Sequence, residues 1–473
     1  MRGPVALAVA FATGLIAAAV LGPPHDGDVW WQAWLGATIL RTHAIPAALG
    51  AETFSAPGAP WTAHEWLFSV LLAASASAHA RIVFALAVAA CAAGAIALVA
   101  ARALRGGASP LAASVAVLLA LVATIPSLGL RVQVVAWLFA AAFAALALDP
   151  RRRAWCVPLA IAWANVHASV LLAPATMAVI AACDALERRP RGASRRTAPP
   201  GAPHRRDEAV RDVAVLAGTI LAVFLTPLGT RLPAYAIALA QSPIRRYITE
   251  WQSPFATPFF RIEIVLATLV VLAVLLPRAK HRLSLAERAV TVTYYVLALL
   301  AARHVPVFFL VATPLAASRF GERAHHAHRS SREANAVAAF GAVLSAAAFV
   351  CGAVVAAAAA RAHPPMPSGA IASVALGARD VRLFCSDFSW CGMAVGKPGV
   401  RVFLDGRADP YPPRVFADSI RFATRPGGVD GLERATVNAV LVARGEPLAR
   451  RLAAAPGWRR TYDDGRYVVF RRG

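Results

Sequence analysis

Residues 5–34 of the chain read "VALAVAFATGLIAAAVLGPPHDGDVWWQAW". The first 17 of them, residues 5–21, are almost entirely apolar, which is typical of a membrane-spanning helix. The ten residues from His25 onward then hold two acids, one histidine and three tryptophans. No small-residue cleavage site is clear, and similar runs follow. We therefore interpret residues 5–21 as an uncleaved first helix rather than a signal peptide, and the polar stretch as its external flank.

The whole chain shares this apolar character. Its 473 residues are 58% hydrophobic and 15% charged, and the mean hydropathy of +0.58 is too high for an ordinary soluble domain. The net charge of +23 comes mainly from arginine, since Lys280 and Lys397 are the only lysines. Basic loops that orient membrane helices explain this excess, so we expect no nucleic-acid partner.

Recurring apolar segments predict an all-α polytopic membrane domain, residues 1–360, with about 11–13 transmembrane helices. The candidate segments are 4–22, 64–79, 82–103, 109–125, 131–148, 154–184, 209–227, 261–277, 285–302, 305–318 and 336–360. The basic loops are 151–153, 188–211, 278–282 and 319–332, and they are cytoplasmic by the positive-inside rule. We expect residues 185–208, rich in Arg, Pro, Gly and Ala, to form a flexible cytoplasmic linker.

Charge also predicts where the chain turns back. Arg153 and Arg188 should both face the cytoplasm, so the apolar segment 154–184 must leave and return, with "WANVH" (163–167) near its outer tip. The same reasoning makes 109–148 a hairpin whose outer tip is "IPSLGLRVQ".

Residues 23–61 and 228–260 are then external loops, and the chain after about residue 360 lies outside. The number of membrane crossings is inconsistent in one part of this topology. Segments 64–79 and 82–103 would both cross the membrane, whereas the charge pattern requires an odd number of crossings before Arg105, so one of these segments is re-entrant, interfacial or misread.

Composition changes at about residue 368, which predicts a small α/β extracytoplasmic domain over 368–473. Strand-like runs recur at 381–387, 400–409 and 437–445. Two further runs flank Asp-Asp-Gly-Arg within 458–472, which predicts a hairpin, and "PGGVDGLERAT" suggests a short helix. Cys385 and Cys391 lie in this part and could form a disulfide if it is extracytoplasmic.

Polar residues from six separate segments map to the predicted outer face. Taken singly, each has an ordinary explanation: the tryptophans as an interfacial belt, Asp26 as a solvated flank, His64 with Glu65 as a helix-start pair, the arginines as lipid-phosphate contacts and His167 as a packed histidine. Taken together, ionisable groups on one face of an apolar protein indicate a cavity for an anionic headgroup and a sugar.

The order of these short motifs resembles the GT-C class of integral-membrane glycosyltransferases, and more closely a bacterial family of uncharacterised membrane proteins near that class. The resemblance covers most of the chain. Its motifs stand here as Asp28-Val29-Trp30, Ile45-Pro46, Phe54-Ser55, His64-Glu65-Trp66-Leu67, Arg131-Val132-Gln133, Trp163-Ala164-Asn165-Val166-His167, Glu250-Trp251, Arg303-His304 and Asp405-Gly406-Arg407-Ala408-Asp409-Pro410-Tyr411.

The resemblance implies transfer of a sugar from a polyprenyl-phosphate donor to a glycan, lipid or protein acceptor at the outer face of the bacterial inner membrane. Asp28 matches the first-loop acid of the class and would be the base or orienting carboxylate, with Asp26 as substitute. Arg131, Arg303 and His304 would hold the lipid phosphate.

Glu65 and Glu250 would bind sugar hydroxyls or a divalent cation, which His64 and Asp28 could also ligate. The other implied substrate contacts are Gln133, Asn165, His167, Trp251, Asp405, Arg407 and Asp409. For the last three, the alternative is a strand end at which Arg407 pairs with a neighbouring acid. Two other functions stay open: a transporter of a lipid-linked or anionic solute, and a non-catalytic membrane protein that presents its C-terminal domain to an envelope partner.

Overall fold

The computed structural model describes residues 3–188, 205–256, 261–277, 282–321, 331–362 and 365–473. The greater part of the predicted linker 185–208 and parts of the basic loops 278–282 and 319–332 lie outside the described residues. The predictions for those stretches therefore stay predictions.

Helices make up most of the described chain up to residue 362. Their bounds are α1 Gly3–Leu21, α2 Asp28–Thr42, α3 Trp66–Ala74, α4 Ala78–Arg105, α5 Pro110–Thr124, α6 Val132–Ala147, α7 Cys156–Val166, α8 Leu172–Arg188, α9 Arg205–Ala222, α10 Arg231–Gln241, α11 Arg261–Leu275, α12 Leu285–Leu300, α13 Val305–Ser318 and α14 Ser331–Ala362. Short 3-10 turns lie at Ile125–Ser127, Ala168–Leu171, Thr249–Trp251 and Ala302–His304. The breaks predicted at "IPSLGLRVQ" and "WANVH" are therefore confirmed.

The protein is a multi-pass membrane protein. Among the described residues, five helical segments have the length and apolar composition to cross a bilayer: Gly3–Leu21, Ala78–Arg105, Pro110–Ser127, Ala168–Arg188 and Gly341–Arg361. Three shorter apolar helical segments accompany them: Val132–Ala147, Ile262–Leu275 and Ala302–Ser318.

The length of α3 decides which of the segments 64–79 and 82–103 crosses the membrane. The prediction of a membrane segment at 64–79 is wrong, because α3 has only nine residues. At 1.5 Å per residue it is about 13 Å long, less than half of the roughly 30 Å hydrocarbon core. Between residue 61 and Arg105, α4 is then the only described helix of spanning length, and a single crossing is the odd number that the charges require.

The first helix packs tightly against α14 through glycines. A Cβ on Gly14 would overlap the carbonyl oxygen of Phe349, and a Cβ on Gly352 would overlap that of Phe11. Small residues allow two membrane helices to approach this closely, which gives dispersion contact where lipid supplies no hydrophobic driving force.

A buried charge cluster joins three helices at the end that the charge pattern assigns to the cytoplasm. Arg153, which precedes α7, donates to Asp184 of α8 at 2.6 Å and to Asp212 of α9 at 2.7 Å. Arg188 of α8 also pairs with Asp212. Arg153 is only 3% exposed, so it stabilises this junction rather than belonging to a solvated basic loop.

Contacts between residues divide the chain into two compact units. The helical unit comprises residues 1–22, 85–236 and 248–360, and the mixed unit comprises residues 23–84, 237–247 and 361–473. The mixed unit therefore contains both the C-terminal sheet domain and the polar stretch after the first helix, with α2 and α3. Within it, α2 and α3 pack against each other.

The C-terminal part of the mixed unit is the predicted α/β domain. Its strands are β1 Val381–Cys385, β2 Val400–Val402, β3 Ala439–Ala443, β4 Trp458–Asp463 and β5 Tyr467–Arg472, in the order β2-β1-β3-β5-β4. Its helices are α15 Ser368–Ala375, α16 Phe388–Cys391, α17 Pro413–Thr424, α18 Gly428–Arg434 and α19 Pro447–Ala454. β1 pairs in parallel with β2 and β3, whereas β5 is antiparallel to β3 and β4. The predicted hairpin and the predicted short helix are confirmed.

Two further links tie this domain together. Cys385 and Cys391 form a disulfide with their Cα atoms 5.8 Å apart. At the edge of the sheet, residues 52–54 run parallel to β2: the Val402 N–H donates to the Glu52 carbonyl at 2.9 Å, and the Phe54 N–H donates to the Val402 carbonyl at 3.2 Å. Part of the predicted first external loop is therefore a sixth, very short extended segment beside the sheet.

Candidate functional site

Asp28 opens α2 in the mixed unit and is held in a defined orientation. Its Oδ1 accepts a 2.8 Å hydrogen bond from the indole N–H of Trp31, one helical turn later. Its backbone N–H donates to Oδ1 of Asp26 at 3.0 Å, so Asp26 caps the turn that leads into the helix. Asp28 is half-buried, which leaves a carboxylate that is both oriented and within reach of solvent.

The "DGRADPY" motif folds into a buried network at the end of β2. Arg407 binds Asp405 through two hydrogen bonds, from Nε at 2.9 Å and from Nη2 at 2.6 Å. Its Nη1 donates to Oε1 of Glu52 at 2.7 Å, and the Tyr411 hydroxyl donates to Asp405 at 2.7 Å. Asp405 and Arg407 are 0% and 2% exposed. These are the contacts that the strand-end alternative describes, and they give both side chains a positioning role.

Burial on its own would raise the pKa of Asp405, but the guanidinium of Arg407 and the hydrogen bonds from Arg407 and Tyr411 outweigh it and hold that pKa below its ordinary value. The carboxylate is therefore ionised at neutral pH. Asp409, the last acid of the motif, is half-buried and follows Ala408, whose φ is +53°.

Two tryptophans of the predicted first external loop, residues 23–61, lie against the same arginine. The guanidinium carbon of Arg407 lies 5.3 Å from the ring centre of Trp34 and 5.0 Å from that of Trp61. Trp31 packs edge-on against Trp61 at 6.2 Å between ring centres. Trp31 and Trp34 therefore pack inside the mixed unit, and the rings of Trp34 and Trp61 stabilise the buried guanidinium.

The motif also reaches Asp28. A Cβ on Gly406 would overlap Oδ1 of Asp28 and lie 3.2 Å from the indole nitrogen of Trp31. The lack of a side chain at Gly406 thus allows the loop backbone to contact the Asp28 carboxylate directly. The earliest and the latest motifs of the sequence form one cluster, which we call the carboxylate cluster: Asp28, Glu52, Asp405 and Arg407 with Trp31, Trp34 and Trp61.

Glu65 does not cap α3, so the capping alternative is wrong. It is the residue before the helix, but its side chain makes no capping hydrogen bond, and its Oε2 instead accepts from the side-chain amide of Gln32 on α2. Nδ1 of His64 lies 3.9 Å from Oε1 of Glu65. This pair offers one nitrogen and one oxygen donor, which fits part of the coordination shell of a divalent cation.

A second cluster lies in the helical unit, at turns between helices. Arg131 directly precedes α6, and Arg303 directly precedes His304 and α13. Nη2 of Arg131 is 3.8 Å from Oε2 of Glu250, and the guanidinium of Arg303 lies 5.0 Å from the ring centre of Trp251. We call Arg131, Glu250, Trp251, Arg303 and His304 the arginine cluster.

Backbone hydrogen bonds fix the two turns that carry this cluster. The N–H of Ala302 donates to the carbonyl of Gln252 at 2.9 Å, and the Ser253 hydroxyl donates to the carbonyl of Leu299 at 2.8 Å. The indole N–H of Trp251 donates to Glu250 at 3.2 Å. Burial on its own raises the pKa of Glu250. The charges of Arg303 and Arg131 and the hydrogen bond from the indole lower it by more, so the pKa is below its ordinary value.

The other predicted residues of the helical unit lie in less charged surroundings. Gln133 is half-buried in the first turn of α6. The side-chain amide of Asn165 donates to the carbonyls of Ile161 and Leu225, at 2.9 Å each, and so joins α7 to the chain after α9. His167 is 4% exposed, and its Nδ1 lies 2.8 Å from the Ser169 hydroxyl, as a packed and hydrogen-bonded histidine would be.

Sequence reasoning missed Glu52 and gave Tyr411 no role. The available signal was the "DGRADPY" motif itself, because a buried arginine needs more acceptors than one aspartate supplies. Nothing in the local sequence around Glu52 identifies it as the second partner.

The fold is that of a GT-C-like membrane glycosyltransferase. This assignment rests on three-dimensional similarity to solved structures over the full length of the chain. No protein-family model matches the sequence, and no curated protein matches it.

The solved structures are of the arabinofuranosyltransferase AftD from mycobacteria. One cryo-EM structure is similar with a TM-score of 0.54 and 16% identity, covering 100% of this chain and 40% of that one. An arginine-to-serine variant of AftD gives a TM-score of 0.50 and 14% identity, covering 100% of this chain and 41% of that one. The chain thus spans well under half of AftD, and at this identity the likeness establishes the fold alone.

Proposed function

We propose that the protein is a glycosyltransferase that moves a sugar from a polyprenyl-phosphate-linked donor to an acceptor hydroxyl at the extracytoplasmic face of the inner membrane. The observation that carries this proposal is the Asp28 carboxylate, which is oriented by Trp31 and braced by the Gly406 backbone within a GT-C-like fold. The acceptor belongs to the class of glycans, lipids or proteins with a free hydroxyl.

In this reaction Asp28 takes the proton of the acceptor hydroxyl, or orients that hydroxyl. The acceptor oxygen forms a bond to the anomeric carbon while the bond from that carbon to the phosphate oxygen breaks. The electron pair leaves with the polyprenyl phosphate. The transferred proton neutralises the carboxylate, and the leaving polyprenyl phosphate gains a negative charge. The protein must stabilise this new charge on the phosphate.

For the arginine cluster of the helical unit, taken by itself, we propose binding of the phosphate of a lipid-linked donor. Arg131 and Arg303 are half-buried, and each precedes the N-terminus of a helix, where the helix dipole also favours an anion. Glu250 orients Arg131 and Trp251 orients Arg303, so the two guanidinium groups are held before a phosphate binds. A net positive cluster is consistent with an anionic lipid headgroup.

Placement of the mixed unit outside the cytoplasm is part of the proposal. The Cys385–Cys391 disulfide supports it, because thiols of cytoplasmic proteins are generally kept reduced. A divalent cation at His64 and Glu65 is a further proposal that no step above requires. Loss of activity in EDTA, restored by Mn²⁺ or Mg²⁺, would support it.

The test uses the full chain, purified and reconstituted in nanodiscs, with a panel of synthetic polyprenyl-phosphate sugars. Arabinofuranose is the first sugar to try, because the similar solved structures are of an arabinofuranosyltransferase. We expect the wild type to release polyprenyl phosphate and form a glycoside. Asp28→Asn should abolish transfer without loss of folded protein, whereas Asp418→Asn, at a half-buried acid of α17 that pairs with Arg421, should retain it.

Two results would overturn the proposal. Full activity of Asp28→Asn would exclude this carboxylate as the base. Uptake of the lipid-linked sugar into vesicles, with no glycosidic product from any donor, would instead support a transporter.

A further inference from the structure

A cavity of about 400 Å³, within the range of small-ligand pockets, lies in the helical unit. It is lined by the last turns of α4, α6 and α13, the loop after α6, and the start of α12. Arg102, Arg105 and Arg152 line it together with two acids, Asp149 and Glu287.

The two acids are already engaged. Oδ2 of Asp149 lies 3.4 Å from Arg152. Glu287 belongs to the capping box of α12, where its carboxylate accepts from the N–H of Ser284 at 2.8 Å. Within the described residues, neither Arg102 nor Arg105 has an ion pair within 4 Å. The cavity therefore presents two guanidinium groups that lack a carboxylate at contact distance.

This cavity is distinct from the arginine cluster. Arg131 precedes α6 and Arg303 precedes α13, whereas the cavity is lined by Leu146 and Ser318 at the opposite ends of those helices. The helices have 16 and 14 residues, so the two places are about 20 Å apart. The cavity thus lies toward the other side of the membrane, at the end that the basic loops assign to the cytoplasm.

Its walls are of two kinds. Leu98, Leu146 and Leu315 line it from the membrane-embedded parts of α4, α6 and α13, and the arginines line it at the helix ends. The wall where α4 turns into α5 is fixed, since the N–H of Ser109 donates to the carbonyl of Phe320 at 3.0 Å. An apolar wall that continues into a cationic rim at a helix end matches the junction between acyl chain and phosphate in a lipid.

We propose that this cavity binds the phosphodiester of an anionic phospholipid from the cytoplasmic leaflet. Arg102 and Arg105 hold the phosphate, and the leucines contact the first carbons of the acyl chains. A soluble phosphate ester would share the phosphate contacts but not the apolar ones. The apolar wall therefore favours the lipid.

The test measures binding of fluorescent phosphatidylglycerol to the delipidated full-length protein in detergent, with phosphatidylcholine as the zwitterionic comparison. We expect Arg102→Gln with Arg105→Gln to weaken phosphatidylglycerol binding by about 10- to 30-fold. Arg151 is exposed in the loop after α6 and does not line the cavity, so Arg151→Gln should leave phosphatidylglycerol binding unchanged. Binding by the double variant equal to that of the wild type would overturn the proposal.

A variant with the opposite expected effect on binding serves as a control for misfolding. Asp149→Asn removes a negative charge from the lining and should tighten phosphatidylglycerol binding several-fold, which a damaged protein would not do. Free sn-glycerol 3-phosphate separates the two sources of phosphate. Weak displacement by it supports a lipid site, and displacement as effective as that by the lipid would show a site for soluble phosphate esters instead.

Discussion

Oε1 of Glu52 lies 2.7 Å from Nη1 of Arg407, although 355 residues separate them in the chain. Glu52 belongs to the predicted first external loop, residues 23–61, and Arg407 belongs to the loop after β2. The ion pair therefore joins the stretch that carries Asp28 to the C-terminal sheet domain. Together with the pairing of residues 52–54 to β2, it is one of the contacts that join the two regions in the mixed unit.

This network should be costly to break at its centre. Arg407→Leu would leave the carboxylates of Asp405 and Glu52 buried without their cation, so we expect a loss of about 3–5 kcal/mol in the free energy of unfolding. Thermal unfolding of the purified protein in detergent measures it. Arg421→Leu is the control, because its pair with Asp418 is exposed and should contribute less than about 1 kcal/mol. Equal destabilisation by both substitutions would contradict the structural role of Arg407.

The contact between Gly406 and Asp28 makes a separate prediction about activity. An added methyl group in Gly406→Ala must displace the Asp28 carboxylate or the loop, because Cβ and Oδ1 would overlap. Sugar transfer should fall by about ten-fold or more, since small displacements of a catalytic group are costly. Gly445→Ala is the matched control in the same unit, since a Cβ there meets nothing within 4 Å. Unchanged transfer by Gly406→Ala would show that the contact does not position Asp28.

Local sequence patterns were sufficient for much of the fold. The breaks at residues 125–131 and at His167, the strands of the C-terminal domain and the Asp-Asp-Gly-Arg hairpin all follow from periodicity and turn residues. These features are set by neighbours along the chain. The same is true of the Cys385–Cys391 pair, whose partners are six residues apart.

The parts that sequence could not give depend on partners far away in the chain. Hydropathy does not distinguish the nine-residue α3, which packs against α2, from a membrane segment, because both are apolar. Glu52 becomes a partner of Arg407 only once residues 52–54 lie beside β2. Arg153 looked like part of a solvated basic loop because its acids, Asp184 and Asp212, come 31 and 59 residues later.

Tight packing of α1 on α14 predicts opposite effects for two glycines of the same helix. Gly352→Ala should destabilise the protein by about 1–3 kcal/mol, because its Cβ would overlap Phe11 of α1. Gly341→Ala should be neutral or stabilising by up to about 1 kcal/mol, because it meets no atom within 4 Å and alanine favours a helix over glycine. Thermal unfolding of both variants measures the difference. A stabilising Gly352→Ala would show that the helices do not cross at this position.

The lowered pKa of Glu250 predicts a pH dependence with a definite sign. A carboxyl whose pKa is lower in the folded state stabilises it above the ordinary value of 4.5, and this contribution is lost as pH falls through the folded-state pKa. Glu250→Gln should therefore be less stable than the wild type between about pH 6 and 8, and the difference should shrink as pH falls below 4.5 and through the folded-state pKa. Unfolding temperatures across this range measure it, with Asp430→Asn, at an exposed acid of α18, as control. A difference that grows in acid would contradict the favourable pairing with Arg131 and Arg303.

The disulfide predicts a chemical signature that does not depend on the proposed activity. Trypsin should release residues 383–401 as one peptide, because Lys397 precedes a proline, and this peptide holds both Cys385 and Cys391. In protein alkylated without reduction, its mass should be lower by two hydrogens and carry no label, and reduction should expose both thiols. Replacement of both cysteines by serine should cost about 2 kcal/mol, since the cross-link closes a loop of only six residues. Full labelling without reduction, in protein taken from the native membrane, would place this domain in a reducing compartment and so contradict its proposed external location.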